Sequence, residues 1–256
     1  MPVITLTTDW NKEDFYIGAV KGTIYSQCEN ATVVDITHQI KPFNIYQAAF
    51  ILKNTFRFYP QGTIHIIGVK TEAYKDHQYM AAELNGQYFL GTDNGLFSLL
   101  FRDDDNVNYV SLDYELSSFP VLDVFAKVAC KLIQGEKFSI LGKEVKEVER
   151  RVPLRATIDE TSIIGSIVHI DSFQNAISNV SRDLFNRIGK ERPFKIYVQS
   201  NHYVISKINN SYQETSIGEL LAIFNSLNLL EVAINGGNAA ELLNLDTNST
   251  IRIKFR

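Results

Sequence analysis

Asp9 stands where an apolar run gives way to a helical one. In "VITLTTDWNKEDFYIGAV" it sits at the carboxyl end of a strand and just ahead of a helix. Ligands of α/β sheets bind at that edge, and a carboxylate there can accept two hydrogen bonds from a ribose diol. The alternative is a helix-capping or loop aspartate. Phe43, beside Pro42 in "VDITHQIKPFNIYQAAFIL", is a turn aromatic placed either to cover a ligand or to staple onto the next helix. His38 in the same stretch reads as a turn or core histidine rather than a ligand. In "IDSFQNAISNV", Asp171, Phe173 and Asn175 alternate, so they share one face if the segment is extended. A carboxylate beside an amide suits a zwitterion or a purine edge; a polar strand exit is the other reading. "FNSLNLLEVAINGGNAAELL" carries the turn residues Asn225 and Ser226, a strand, and then Gly236 and Gly237 ahead of a helix. Free backbone N–H groups at that helix start could hold a ligand. In "GTDNGLF", Asp93 or Asn94 reads as a helix cap.

A further stretch, "HIIGVKTEAYKDHQY", begins at His65 as a buried strand. It then breaks into Lys70, Thr71, Glu72, Lys75, Asp76 and His77 without a Gly or Pro. Such an exit is either the rim of an active site or a solvated loop.

The elements that must position these residues change character midway. Val3–Thr8, Thr32–Ile36 and "GTIHIIGV" read as strands, separated by helices at Asp14–Gln27 and after Asn44, a plausible N-cap. Phe15, Ala19, Thr23 and Ile24 share a face of the first helix. Tyr79–Leu84 and Gln87–Leu90 are joined by "NG", a hairpin signal. Helices follow at Leu96–Phe101 and Pro120–Ile133, the latter stopped by Gly135. The alternation predicts an α/β domain with a largely parallel sheet. "GKEVKEVERRVPLRATIDET" is dense in charge and reads as a linker or an exposed crossing between domains, the alternative being a solvated helix or strand edge. Beyond it, short β-type runs at Ile163–Asp171, Phe194–Gln199, His202–Ser206, Leu230–Ile234 and Ile251–Phe255 predict a smaller antiparallel β-barrel or sandwich. The expected organisation is an N-terminal α/β domain over 1–150 and a C-terminal β-barrel domain over 151–256.

Composition narrows the function classes. A net charge of −4 argues against a bulk nucleic-acid surface. No apolar run is long enough for a membrane span, and the first residues lack the pattern of a signal peptide. Cys28 and Cys130 lie far apart in sequence, which fits a reduced, cytoplasmic protein. With five scattered His and no Cys cluster, no metal site is expected.

Taken in series, these stretches resemble the S-adenosylmethionine hydroxide adenosyltransferase family, relatives of the fluorinating and chlorinating enzymes. "TTDWNKEDFYIGAVKGTI" is similar to the family's T-D-F-G-x-x-D-x-Y-V-G-x-M-K-G, and "VDITHQIKPFNIYQAAFIL" to D-I-T-H-x-I-x-P-x-D-I-x-x-A-A. "FYPQGTIHI", "GTDNGL", "GSIVHIDSFQNAISN" and "FNSLNLLEVAINGGNAAELL" follow in the family's order, so the likeness covers nearly the whole chain. It implies a homotrimer that binds a small adenosyl ligand, S-adenosylmethionine, between the N-domain of one subunit and the C-domain of its neighbour, with no further cofactor. On this resemblance Asp9 holds the ribose diol and Phe43 lines the ribose. Asp171 and Ser226 hold the amino acid end. Asn175 and the backbone near Asn235 read adenine, and Tyr212 stacks on it. Leu227 departs from the halogenating branch, which has an Arg there.

The family reaction is substitution at the 5′ carbon, with methionine leaving from a sulfonium. The hydrolysing branch surrounds its water with an acidic residue, an Arg and a His. Here the acidic position falls on Lys70, the Arg position near His77, and the His position on Pro120. Lys70 puts a cation where a sulfonium approaches. Glu72, Asp76 or His77 is a candidate substitute base. Three readings follow: a divergent S-adenosylmethionine-cleaving enzyme, a catalytically inactive adenosyl-binding module, or a pocket adapted to another small molecule.

Overall fold

Short β-branched runs bounded by turn residues become the strands of a seven-stranded sheet in the first half of the chain. They are β1 (Val3–Thr8), β2 (Thr32–Thr37), β3 (Ile64–Gly68), β4 (Tyr79–Leu84), β5 (Gln87–Thr92), β6 (Asn108–Leu112) and β7 (Gly142–Val145). The helices are α1 (Phe15–Gln27), α2 (Ile45–Lys53), α3 (Leu96–Leu100) and α4 (Ala126–Ile133), the last preceded by a π-helical turn at Val121–Phe125. The computed structural model describes residues 2–73 and 78–256. The chain divides into two compact units, Met1–Pro153 and Leu154–Arg256.

The strand order in the first unit is β2-β1-β3-β5-β4-β6-β7. Parallel pairing links β2, β1, β3 and β5, whereas β5–β4, β4–β6 and β6–β7 are antiparallel. The sheet is therefore mixed rather than largely parallel. The hairpin accounts for the reversal: Asn85 and Gly86 both take positive φ, 53° and 75°, as a two-residue I′ turn requires. Both faces are covered. Ile4, Leu6, Ile64 and Ile66 pack with Val20 and Ile24 of α1 and Val128 and Ala129 of α4, whereas Ile67 and Phe89 pack with Ala48 and Leu52 of α2 and Leu96 and Phe97 of α3. On α1 the buried residues are Val20 and Ile24: Ile24 lies inward as the sequence predicts, whereas Phe15, assigned to the same face, is exposed and Val20 takes the inward place. Cys28 and Cys130, distant in sequence, meet in this core, where burial pushes the Cys130 thiol up to about 12.

The charged stretch after Leu141 is not simply a linker. Its first residues form β7, the edge strand against β6, which suits a sheet edge rich in Lys and Glu. In the second unit the strands are β8 (Thr157–Ile158), β9 (Ser162–Ile170), β10 (Ala176–Ser181), β11 (Phe194–Val198), β12 (Val204–Ile205), β13 (Ile208–Asn209), β14 (Leu220–Phe224), β15 (Leu229–Ile234) and β16 (Thr250–Phe255), with helices α5 (Arg182–Gly189) and α6 (Ala239–Leu242). They form a curled sheet in the order β12-β11-β16-β9-β10-β15-β14-β13, with β8 paired to β9. The short β12 comes near β14, so the sheet is nearly closed and barrel-like. Most pairings are antiparallel, but β13 runs parallel to β14. Ile163, Val180, Ile196, Leu230, Val232 and Ile253 fill its interior.

Candidate functional site

β1 and β3 are parallel neighbours with Thr8 beside Gly68, so the residues after them, Asp9 and Val69–Lys70, leave the sheet side by side. Gly68 is required there. A Cβ would lie 2.9 Å from Thr8 Cγ2, 3.0 Å from Trp10 Cζ2 and 3.2 Å from Val121 Cγ2. Trp10 closes over this strand end and packs on Phe119 and Tyr16, with ring centroids 5.3 and 5.9 Å away.

The Asp9 carboxylate is fixed by backbone. Phe43 N–H donates to Oδ2 at 2.8 Å, and the Lys70 N–H also faces the carboxylate. Burial pushes the Asp9 carboxyl above its ordinary value, and the N–H groups of Phe43, Asp9 itself and Lys70 pull it partly back. Three non-glycine residues near it take left-handed backbone: Asn11 at φ 67°, Phe43 at 63° and Lys70 at 50°. That conformation is disfavoured for residues with a Cβ, and such strain gathers at functional sites. The Phe43 ring is 64% exposed, so it is free to line a ligand and is not stapled onto α2. Asn44 caps α2, accepting from Gln47 N–H at 3.0 Å.

Beneath Asp9, His38 is buried, with Nδ1 2.8 Å from Thr8 Oγ1 and Nε2 3.1 Å from Asp35 Oδ1. It ties the exits of β1 and β2 together, and its carbonyl accepts the Asn11 N–H at 2.9 Å. The β3 exit is tied as well. Asn94 Nδ2 donates to the carbonyls of Lys70 at 2.8 Å and Val69 at 3.3 Å, and Thr92 Oγ1 donates to the Thr71 carbonyl at 2.7 Å. Asn94 also accepts the Leu96 N–H at 3.1 Å at the start of α3, whereas the Asp93 carboxylate accepts the Glu149 N–H instead. Lys70 and Glu72 are exposed on this rim. Asp76 and His77 lie outside the described residues. Pro120 is buried at the start of the π-helical turn with φ −57°. A proline is favoured where a helical segment begins, because no N–H partner is needed there.

The second unit gathers the remaining candidates. Asp171, Phe173 and Asn175 do not lie along an extended face. Asp171 closes a tight turn: Oδ1 accepts the N–H groups of Phe173 and Asn175, each at 2.9 Å, and Oδ2 accepts Asn175 Nδ2 at 3.1 Å. Carboxylate and amide are thus brought together by the turn. A carboxylate has about four lone-pair positions, so Asp171 retains one for a ligand donor. Phe173 is 74% exposed at the turn's tip.

Tyr212 donates its hydroxyl to Glu231 Oε1 at 2.6 Å. Burial raises its phenol above the ordinary value, and the Glu231 and Asp171 charges add to that rise. Asn235 Nδ2 holds the Thr215 carbonyl at 2.7 Å. Ser226 is exposed at the tip of the β14–β15 turn. Two of the backbone N–H groups around the glycines after β15 have partners within the unit. Gly237 N–H bonds Ile234 at 3.1 Å, Ala240 N–H bonds the Gln174 carbonyl at 2.8 Å, and α6 has only four residues. Among the described residues no group of three or more His, Cys, Asp or Glu stands close enough to hold a metal ion. No helix there is long and apolar enough to cross a membrane.

Sequence reasoning missed Trp10 and Glu231, and it read Asn94 as a cap of the following helix, which it is, but not as the tie of the β3 exit. Trp10 is the only Trp and directly follows Asp9. Glu231 is a carboxylate inside the apolar run "LLEVAI", where a charge is expensive and needs a reason.

The Asp9 carboxylate thus stands at the crest of parallel strands beside an exposed aromatic ring, the sheet edge at which ligands of α/β folds bind. The chain belongs to the S-adenosylmethionine hydroxide adenosyltransferase family: the family's N-terminal domain model matches residues 4–142 and its C-terminal domain model residues 165–252. It is 29% identical over 274 aligned residues to an (R)-S-adenosyl-L-methionine hydrolase of Methanocaldococcus jannaschii, covering 100% of this chain and 97% of that protein. To a fluorinase of Actinopolyspora mzabensis it is 22% identical, covering 98% and 97%. Among solved structures, an uncharacterized conserved protein from Thermotoga maritima superposes with a TM-score of 0.87 at 23% identity, covering 98% of this chain and 99% of that one.

Proposed function

We propose that the protein binds S-adenosylmethionine and cleaves it to adenosine and methionine at least about a hundredfold more slowly than relatives with an acidic residue, an Arg and a His at the water site. The observation that carries the binding half is the Asp9 carboxylate, half-buried and held by Phe43 and Lys70 N–H groups from strained backbone. Its remaining lone pairs suit the ribose diol. Phe43 lines the sugar, Asp171 and Ser226 take the amino acid end, and Asn175, Tyr212 and the backbone near Asn235 take the adenine. The assembly that completes the pocket is a homotrimer, with Asp9 of one subunit facing Asp171 and Asn175 of the next.

The slow turnover follows from the rim. Methionine leaves readily from a sulfonium, so the protein's task is to place and deprotonate a water in line with the 5′ carbon. A positioned base typically contributes about 10²–10⁴-fold. Lys70 brings a cation to the position that the family resemblance gives to a carboxylate, and buried Pro120 offers no side-chain donor or acceptor. Chromatography of reaction mixtures, run beside a triad-bearing relative, tests this. Adenosine release a hundredfold or more below the relative's is expected. Equal turnover would mean that the rim holds a substitute base, which separate Glu72→Ala and His77→Ala variants then locate as a fall in turnover without loss of binding.

A further inference from the structure

Glu231 is 3% exposed on β15, yet among the described residues it forms no ion pair with any Lys, Arg or His. A buried carboxylate without a cation needs hydrogen-bond donors, or it is driven to a neutral form. It has two. Oε1 accepts the Tyr212 hydroxyl at 2.6 Å, and Oε2 accepts Asn225 Nδ2 at 3.1 Å. The two donors belong to different loops. Tyr212 begins the short 3-10 turn Tyr212–Glu214, whereas Asn225 begins the β14–β15 turn. The Asn225 amide is itself committed: its Oδ1 accepts the N–H groups of Leu227 at 3.0 Å and Leu229 at 3.2 Å, shaping the turn that carries Ser226. Asn235, in the turn that follows β15, holds the same Tyr212 loop through the Thr215 carbonyl. Glu231 therefore joins two loops, one of which is held a second time from the end of its own strand.

We propose that Glu231 is a positioning residue: its single carboxylate locks the Tyr212 ring and the Ser226 turn in fixed register, so that the half-site for an adenosyl ligand is formed before the ligand arrives. The ligand part rests on the functional reading above; the locking does not. Glu231 itself touches no ligand. A leucine at this position keeps an apolar side chain on the strand but accepts from neither Tyr212 nor Asn225, so both loops are released, whereas a glutamine could still serve both by accepting from Asn225 and donating to the Tyr212 oxygen. Ordering a loop at the moment of binding lowers affinity, and preorganisation removes that loss.

The test uses the full chain labelled with ¹³C in its tyrosine rings. Twelve tyrosines contribute signals, and Tyr212→Phe identifies that of Tyr212. In Glu231→Leu the Tyr212 signal, or that of a labelled Ser226, is expected to move toward its free-residue position and sharpen, and S-adenosylmethionine affinity is expected to fall about tenfold. Unchanged Tyr212 and Ser226 signals in a folded variant overturn the locking. Changed signals with unchanged affinity overturn its role in binding. If Glu231→Leu does not fold, Tyr212→Phe decides, because it removes only a hydroxyl: affinity about fivefold lower supports the proposal, and wild-type affinity overturns it. Failure of the wild-type protein to bind S-adenosylmethionine at all overturns the functional reading, and the Tyr212 and Ser226 signals still decide the locking.

Discussion

Asp9 illustrates how one side chain is held for binding at some cost to the fold. Burial raises its pKa above the unfolded value. The folded state therefore holds the proton more tightly, and stability falls as pH rises from the unfolded pKa through the folded one. At neutral pH the ionised carboxylate is a standing cost. Asp9→Asn keeps the shape and an acceptor for Phe43 N–H while removing that cost. Calorimetric melting should find the variant at or above the wild type at neutral pH, with the gap closing below about pH 4. A lower melting temperature throughout would show that the charge supports the fold. Glu231 and Asp9 were unequally legible in the sequence. Asp9 follows a clear strand and precedes a clear helix, so its edge position could be read from pattern. Glu231 gains meaning only from Tyr212 and Asn225, which reach it from loops 19 and 6 residues away. No local periodicity reports such a contact.

At the scale of elements, strand exits carry the site and are fixed by side chains from neighbouring strands. Asn94 is the clearest case, since one buried amide holds two carbonyls of the β3 exit and caps the entry to α3. Asn94→Ala leaves those groups unpaired, and each buried unpaired group costs about 1–3 kcal/mol. Urea unfolding should show a loss of at least about 2 kcal/mol, and S-adenosylmethionine binding should weaken because Lys70 N–H no longer faces Asp9. An unchanged midpoint would mean that water replaces the amide. Elements with strong periodicity, such as β1, β3 and the Asn85–Gly86 hairpin, were readable from the sequence. The edge strand β7 is readable only as one alternative, because "GKEV" looks equally like a solvated crossing until β6 offers it a partner. At Asp171 the sequence leaves open an extended face or a polar strand exit, because "DSFQN" has no Gly or Pro to mark a turn. In the structure Asp171 satisfies three donors within five residues, a local closure that outcompetes extension.

For the whole molecule, His65 reports on global stability. It is fully buried between Thr5 Oγ1 at 2.7 Å and Gln87 Oε1 at 3.1 Å, and burial pushes its pKa down to about 4. Below the ordinary value near 6.5 the unfolded chain takes a proton that the folded chain refuses. Stability contributed by the neutral ring is thus present above that value and lost as pH falls toward about 4, with a slope of up to about 1.4 kcal/mol per pH unit. His65→Gln should flatten this part of the urea-midpoint profile; an unaltered slope would assign the acid sensitivity to other groups. The proposed trimer makes a separate demand, since a complete pocket then requires more than one chain. Sedimentation at micromolar concentration should give a trimer, and a stable monomer would contradict the shared pocket. The most direct test of the account is calorimetric titration of wild-type protein and Asp9→Asn with S-adenosylmethionine. A carboxylate lost from a ribose diol should cost on the order of 1.5–3 kcal/mol, so saturable wild-type binding and a Kd about ten- to a hundredfold weaker in the variant are predicted. Superimposable titrations, or no heat from the wild type, would contradict it.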